Sequence, residues 1–136
     1  MAPVTSDRAG RVIQVIWILG FLIGTTTHVL DLVAGGLDTY GDFPVPMRAY
    51  WISLTVLDPV TVLLVLRRRR AGVVLGLAVI LSDIAVNWTV FSTIGGLSLF
   101  GVVNQTVFAI VLVATAVPLW RWMRPVRRAG RDPRNP

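Results

Sequence analysis

This sequence predicts an all-α integral membrane protein, a four-helix transmembrane bundle with both termini in the cytoplasm. Three observations carry that expectation. Four apolar runs take up most of the 136 residues, each near the roughly 20 residues that cross a hydrocarbon core about 30 Å thick. The arginines gather at alternate ends of those runs, where topology determinants belong. Each run also holds polar side chains at depths that could meet in one place. The mean hydropathy of +0.71 agrees with such a chain.

Residues 1–11 form a polar tail with Pro3, Asp7, Arg8 and Arg11. The membrane domain is expected over 12–122, in four spans. Span one runs from about Val12 to Ala34. Residues Gly35–Met47 break the pattern with paired glycines, Asp38, Gly41, Asp42, Pro44 and Pro46, a composition that reads as a loop. Span two covers about Arg48–Leu66 and includes the pair Asp58-Pro59. Arg67–Arg70 are expected to stop it, and span three, Gly72–Ile94, follows at once. A brief turn rich in Gly and Ser precedes span four, about Leu99–Trp122. Residues 123–136 make an Arg- and Pro-rich cytoplasmic tail of disordered composition.

Every basic residue except His28 is Arg, and every acidic one is Asp. All the arginines but Arg48 lie in the two tails, at the very end of span four (Arg121) or between spans two and three. The positive-inside rule then places the protein in the cell membrane, multi-pass, with both termini inside. The net charge of +6 therefore points to topology and the lipid bilayer, and no nucleic-acid partner is expected. Without cysteine the chain has no disulfide or thiolate site. One histidine among scattered carboxylates lacks the ligand set of a zinc or iron centre, so neither metal nor cofactor is expected. Trp120 and Trp122, and Tyr50 with Trp51, are read as interfacial anchors.

The informative residues are polar ones at membrane depth. Asp83 interrupts the middle of span three, where an ionised side chain costs on the order of 2.5–3.5 kcal/mol by insertion scales. Such a residue normally faces the bundle interior and has a partner. Asn87 lies one turn on, on the same face, and can hydrogen-bond it. Asp58 sits near the middle of span two, where Pro59 frees a carbonyl around Thr55. In span one Gly20, Gly24 and His28 recur every four residues, with Asp31 three beyond. The glycines suit close helix packing, and His28 and Asp31 are read as a hydrogen-bonded pair. Asn104 and Gln105 lie about 8 Å outward of the middle of span four, at 1.5 Å per residue. The inner halves hold little polar beyond Gln14, Thr61 and Thr115, which argues against a channel.

These depths predict one cavity, closed toward the cytoplasm and open outward or toward lipid. Two neighbouring carboxyl groups in low dielectric cannot both be ionised cheaply, and a neutral buried carboxylic acid is a general acid. The catalytic candidates are Asp83, Asp58 and Asp31, with Asp83 the first choice for proton donor, oriented by Asn87. The expected substrate-binding residues are His28, Asn87, Trp51, Trp88, Phe91, Asn104 and Gln105. The aromatic rings among them suit stabilisation of a cation. Ser53, Ser82 and His28 come with no oxyanion-hole motif, so a serine hydrolase is not expected.

The residues His28, Asp31, Tyr50-Trp51 through Asp58-Pro59, and Asp83 with Asn87 give a plan similar to that of the EXPERA-type sterol isomerase and sigma-2-like proteins. It also resembles the small membrane-bound non-canonical terpene cyclases. The resemblance implies a lateral pocket for an isoprenoid- or sterol-like small molecule and acid-initiated carbocation chemistry. Two other functions compete: a non-catalytic lipophile binder or assembly subunit, and a proton-coupled small-solute transporter.

Overall fold

A computed structural model describes residues 6–123. It is all-α among those residues: α1 (Asp7–Gly35), α2 (Val45–Leu66), α3 (Arg70–Thr93) and α4 (Leu99–Trp122), with a short 3-10 turn at Gly36–Asp38. All four long helices are long and apolar enough to cross a membrane. They run alternately up and down, so both ends of the described chain lie at one end of the bundle, here the terminal end. The other is the loop end. Sequence neighbours pack on one another, and α1 closes the ring on α4 along the thinnest of the four seams.

Span four has the bounds expected of it, and the others shift by a few residues. The polar tail is shorter than expected, because α1 starts at Asp7. The Ser6 hydroxyl accepts from the Ala9 amide at 3.2 Å, capping a donor that a helix start leaves unpaired. Asp7 then accepts from the Trp122 indole at 3.3 Å, holding α1 against α4. Pro44 and Pro46, read as loop residues, begin α2 instead. A helix's first turn has no use for the N–H that proline lacks. The stop between α2 and α3 is confined to Arg67–Arg69, and Arg70 already belongs to α3. Arg68 makes this tight turn with φ 53°. Gly72 lets the helices close, since a Cβ there would stand 2.8 Å from the Val65 nitrogen. Gly95 and Gly96, at φ 83° and 84°, make the α3–α4 turn. The expectation for the tail past Met123 lies outside the described residues, as do residues 1–5.

The core is formed by Trp17, Leu54, Val90, Leu112 and Leu119, all essentially without exposure. Outward faces are just as apolar, with Ile23, Val33, Phe100 and Ile110 all well exposed. A helix apolar all round belongs to a large core or to lipid.

Two anchor readings need correction. Trp51 is buried at 4% exposure, packed between Tyr40 and Phe43 with ring centroids 5.1 and 4.9 Å away. Tyr50 is half-buried and meets Ser82 Oγ of α3 at 2.7 Å. The Tyr50-Trp51 pair therefore sits against α3 and the α1–α2 loop, inside the fold. Trp122 and Trp120 lie at the terminal end, under the guanidinium groups of Arg68 and Arg70 at 4.2 and 5.0 Å.

Candidate functional site

The glycine stripe of α1 builds the site. Gly20 meets the tip of the Phe108 ring of α4, and any Cβ there would overlap it. One turn on, a Cβ on Gly24 would stand 2.7 Å from Asp58 Oδ2. Asp58 thus reaches from α2 to the α1 backbone through a gap that only glycine leaves. Below this level α1 and α4 are zipped together by Trp122 on Asp7 and by Trp17 Nε1 donating to Thr115 Oγ1 at 2.9 Å. Above Phe108 they part, and a cavity of about 520 Å³ opens between them toward the loop end.

Its floor is aromatic: Phe21 meets Phe108 edge-on at 5.8 Å and Trp17 at 6.3 Å. Val79 and Ile80 of α3 form the back wall, and α2 contributes a single side chain, Asp58. Asp58 is 5% exposed. Among the described residues no hydrogen bond reaches its carboxyl group, and its oxygens open only to the cavity.

Asp83 is equally buried, yet its surroundings are the opposite. Asn87 Nδ2 donates to its Oδ1 at 3.2 Å, and Gln105 Nε2 donates to its Oδ2. Asn87 Nδ2 also donates to Gln105 Oε1 at 2.6 Å. The sense of this ring is set from outside, by Trp51 Nε1 donating to Asn87 Oδ1 at 2.9 Å. An indole N–H can only donate, so the Asn87 oxygen must face Trp51 and its NH2 must face Asp83 and Gln105. That in turn leaves the Gln105 oxygen for Asn87 and its NH2 for Asp83. One tryptophan orients three polar groups on two other helices.

At the loop end the expected His28–Asp31 pair is bridged rather than direct. The Tyr40 hydroxyl donates to Asp31 Oδ2 at 2.9 Å and lies 3.3 Å from His28 Nδ1. Since the phenol has one proton, already given to Asp31, His28 Nδ1 must be the donor to Tyr40. Nε2 then keeps its lone pair. Burial first, then the hydrogen bond and charge of Asp31, and last the charge of Asp83, push the Tyr40 phenol well above its usual range. It is a proton donor at any physiological pH.

The cavity gathers His28, Asp58, Asp83, Asn87, Asn104 and Gln105, all expected site residues. Asp31, Trp51, Trp88 and Phe91 do not line it. Trp88 donates to Thr106 Oγ1 at 2.9 Å and stacks edge-on against Phe91 at 5.8 Å, away from the cavity. The aromatic rings that face the acid are Phe21 and Phe108, which the sequence reading passed over. Phe108 follows Gln105 by three residues and so shares its face, a signal that was there to use. Tyr40 had no such signal, sitting in a segment of turn formers. Ser53 and Ser82 hydroxyls are engaged with Tyr50. Among the described residues no cluster of three metal-ligating side chains occurs.

No family model, curated protein or solved structure gives a significant match to this chain. Function must be argued from the site.

Proposed function

We propose that this is a multi-pass protein of the cell membrane with both termini cytoplasmic, and that its cavity is the active site of an acid-initiated cyclase or isomerase. Its substrate would be a lipophilic isoprenoid- or sterol-like molecule entering between α1 and α4 from the outer half of the bilayer. The volume of about 520 Å³ falls within the roughly 300–1,000 Å³ of small-ligand pockets. The arginines at the terminal end and their scarcity at the loop end support the orientation.

The observation that carries the reading is the Asp58 carboxyl: buried, unpartnered, and open only to an otherwise largely apolar cavity. An O–H there has nothing to donate to except a bound molecule. Both Asp83 oxygens, in contrast, already accept from amides. The proton-donor role first given to Asp83 therefore passes to Asp58, with Asp83 as the anchor of the amide ring. In the reaction the Asp58 proton adds to one carbon of an alkene, and the π pair becomes the new C–H bond. The neighbouring carbon becomes a cation beside the rings of Phe21 and Phe108, whose π systems favour positive charge. Attack by a second π bond forms a C–C bond and moves the cation to a new carbon, as in a cyclase, or the first cation persists, as in an isomerase. Loss of a proton from the carbon beside the final cation to the Asp58 carboxylate then forms the product C=C bond. Either way the acid is restored and no co-reactant is consumed.

The test compares lipid extracts of membranes containing the wild-type protein or Asp58→Asn by mass spectrometry. An isomeric lipid that accumulates only with the wild type supports the enzyme, and identical extracts sink it. A general acid contributes about 10²–10⁴-fold, so the variant should lose nearly all product. A second reading, a non-catalytic lipophile binder or assembly subunit, draws on the Trp51–Asn87–Gln105–Asp83 ring. That ring ties α2, α3 and α4 together with its hydrogen bonds satisfied, as a register device would. Transport across sealed vesicles would favour the third reading, a proton-coupled transporter. The aromatic floor and the closed terminal half speak against it.

A further inference from the structure

The cavity's lining also bears on the chemistry of its ligand, an inference that rests on the cavity being a ligand site but not on its being catalytic. Among the described residues the cavity has two carboxyl groups and no arginine, although the chain is rich in arginine elsewhere. Arg48, in the first turn of α2 and the one arginine at that end, is turned to Leu37 O and Asp38. A phosphate, diphosphate or carboxylate drawn into this space would meet no positive charge and two acids, and burying an unpaired anion is prohibitive. The ligand therefore carries no anionic group.

The polar groups with unused hydrogen-bonding capacity lie at the mouth. His28 Nε2 has a free lone pair, because Nδ1 is committed to Tyr40. Asn104 of α4 also lines the cavity. Together they offer an acceptor at His28 and donors on the Asn104 amide. A ketone would use only the donors and an ether would leave His28 idle, whereas an alcohol uses both. Depth adds a constraint. Gly24, against which Asp58 rests, is one helical turn below His28, a drop of about 6 Å.

We infer that the cavity takes a neutral lipophile with a single hydroxyl group. The hydroxyl would be held at the mouth by His28 and Asn104, and the hydrocarbon body would point down onto Phe21 and Phe108. Its acid-sensitive unsaturation lies about one helical turn deeper than the hydroxyl, at the height of Asp58. The same geometry excludes a prenyl diphosphate as substrate.

Equilibrium binding to the purified full chain in lipid nanodiscs, with four probes sharing one prenyl chain, tests this. The probes are the alcohol, the parent hydrocarbon, the diphosphate and the primary amine. The alcohol should bind about tenfold tighter than the hydrocarbon, as two neutral hydrogen bonds would give, and the diphosphate should not bind measurably. In the double variant His28→Ala with Asn104→Ala the alcohol's advantage should vanish while hydrocarbon binding persists. That persistence shows the variant is folded. Diphosphate binding as tight as the alcohol's overturns the inference, as does an alcohol no better than its hydrocarbon, or no probe binding at all. An amine that outbinds the alcohol and loses its advantage in Asp58→Asn also overturns it, by making Asp58 a counter-ion. An alcohol that binds as expected but is never converted removes the enzyme reading and leaves this one standing.

Discussion

Two aspartates of equal burial differ in what surrounds them. Asp83 accepts on both oxygens, so an amide in its place would turn its own NH2 toward the NH2 of Asn87 or Gln105. Asp83→Asn is therefore no silent isostere. Leaving buried donors unpaired costs about 1–3 kcal/mol, and thermal unfolding in detergent should register a loss of that order. Trp51→Phe keeps an aromatic side chain, though a smaller one, but removes the donor that sets the direction of the network, and should cost at least a similar amount. Asp58→Asn breaks no hydrogen bond, so unfolding should hardly change while product formation disappears. The opposite pattern, stability lost at Asp58 and activity lost only at Asp83, would return the acid to α3. The existence of these polar residues was legible in the sequence, because charge inside an apolar run stands out. Which acid had partners was not, since those partners sit on other helices.

The elements place those groups through close approach. The α1 stripe serves two purposes one turn apart: Gly20 admits the Phe108 ring and Gly24 admits the Asp58 carboxyl. Gly24→Ala puts a methyl 2.7 Å from Asp58 Oδ2, so the acid must swing away. Helix content should survive while activity falls by at least the factor of about 10² that a displaced acid implies. Gly20→Ala instead presses on a packed ring and should show mainly as lost stability, about 1–3 kcal/mol for overpacking. The α1–α2 loop acts through Tyr40. Its phenol is raised by burial and by Asp31, so the neutral form is favoured in the folded chain. Its contribution is at full strength below the free-phenol value of about 10 and is lost as pH rises through the higher folded value. Alkaline ultraviolet titration of Tyr50→Phe, which leaves Tyr40 as the only tyrosine, should show ionisation displaced upward. Asp31→Asn should bring it back toward the ordinary range.

At the scale of the whole molecule the outside is as apolar as the inside. In a bilayer the hydrophobic effect does not drive such helices together, and packing and polar contacts must do so. The bundle answers with glycine contacts and indole hydrogen bonds: Trp17 to Thr115, Trp51 to Asn87, Trp88 to Thr106 and Trp122 to Asp7. Among the described residues the α1–α4 seam has such ties only below Phe108, and on the proposed function it is the side from which a lipid would enter. Orientation is open to direct measurement, because the chain has no cysteine of its own. A membrane-impermeant maleimide should label Asp42→Cys in intact cells and Arg69→Cys only after permeabilisation. The reverse pattern would invert the protein and place the cavity mouth in the cytoplasm.

The sequence by itself determined the number of helices, their bounds to within a few residues and the depth of each polar group. Those properties follow from hydrophobic length and from a rise of about 1.5 Å per residue, both local to a single run. It could not determine azimuth. A helix apolar on every side carries no amphipathic stripe to say which way Trp51, Trp88 or Phe108 faces, and all three sit at depths that suit a ligand. Only the packing of four helices decided that Trp51 orients Asn87, that Trp88 faces outward, and that Phe108 forms the floor. The same packing separated two carboxyl groups alike in depth and burial, because a hydrogen-bond partner is a property of the neighbouring helix.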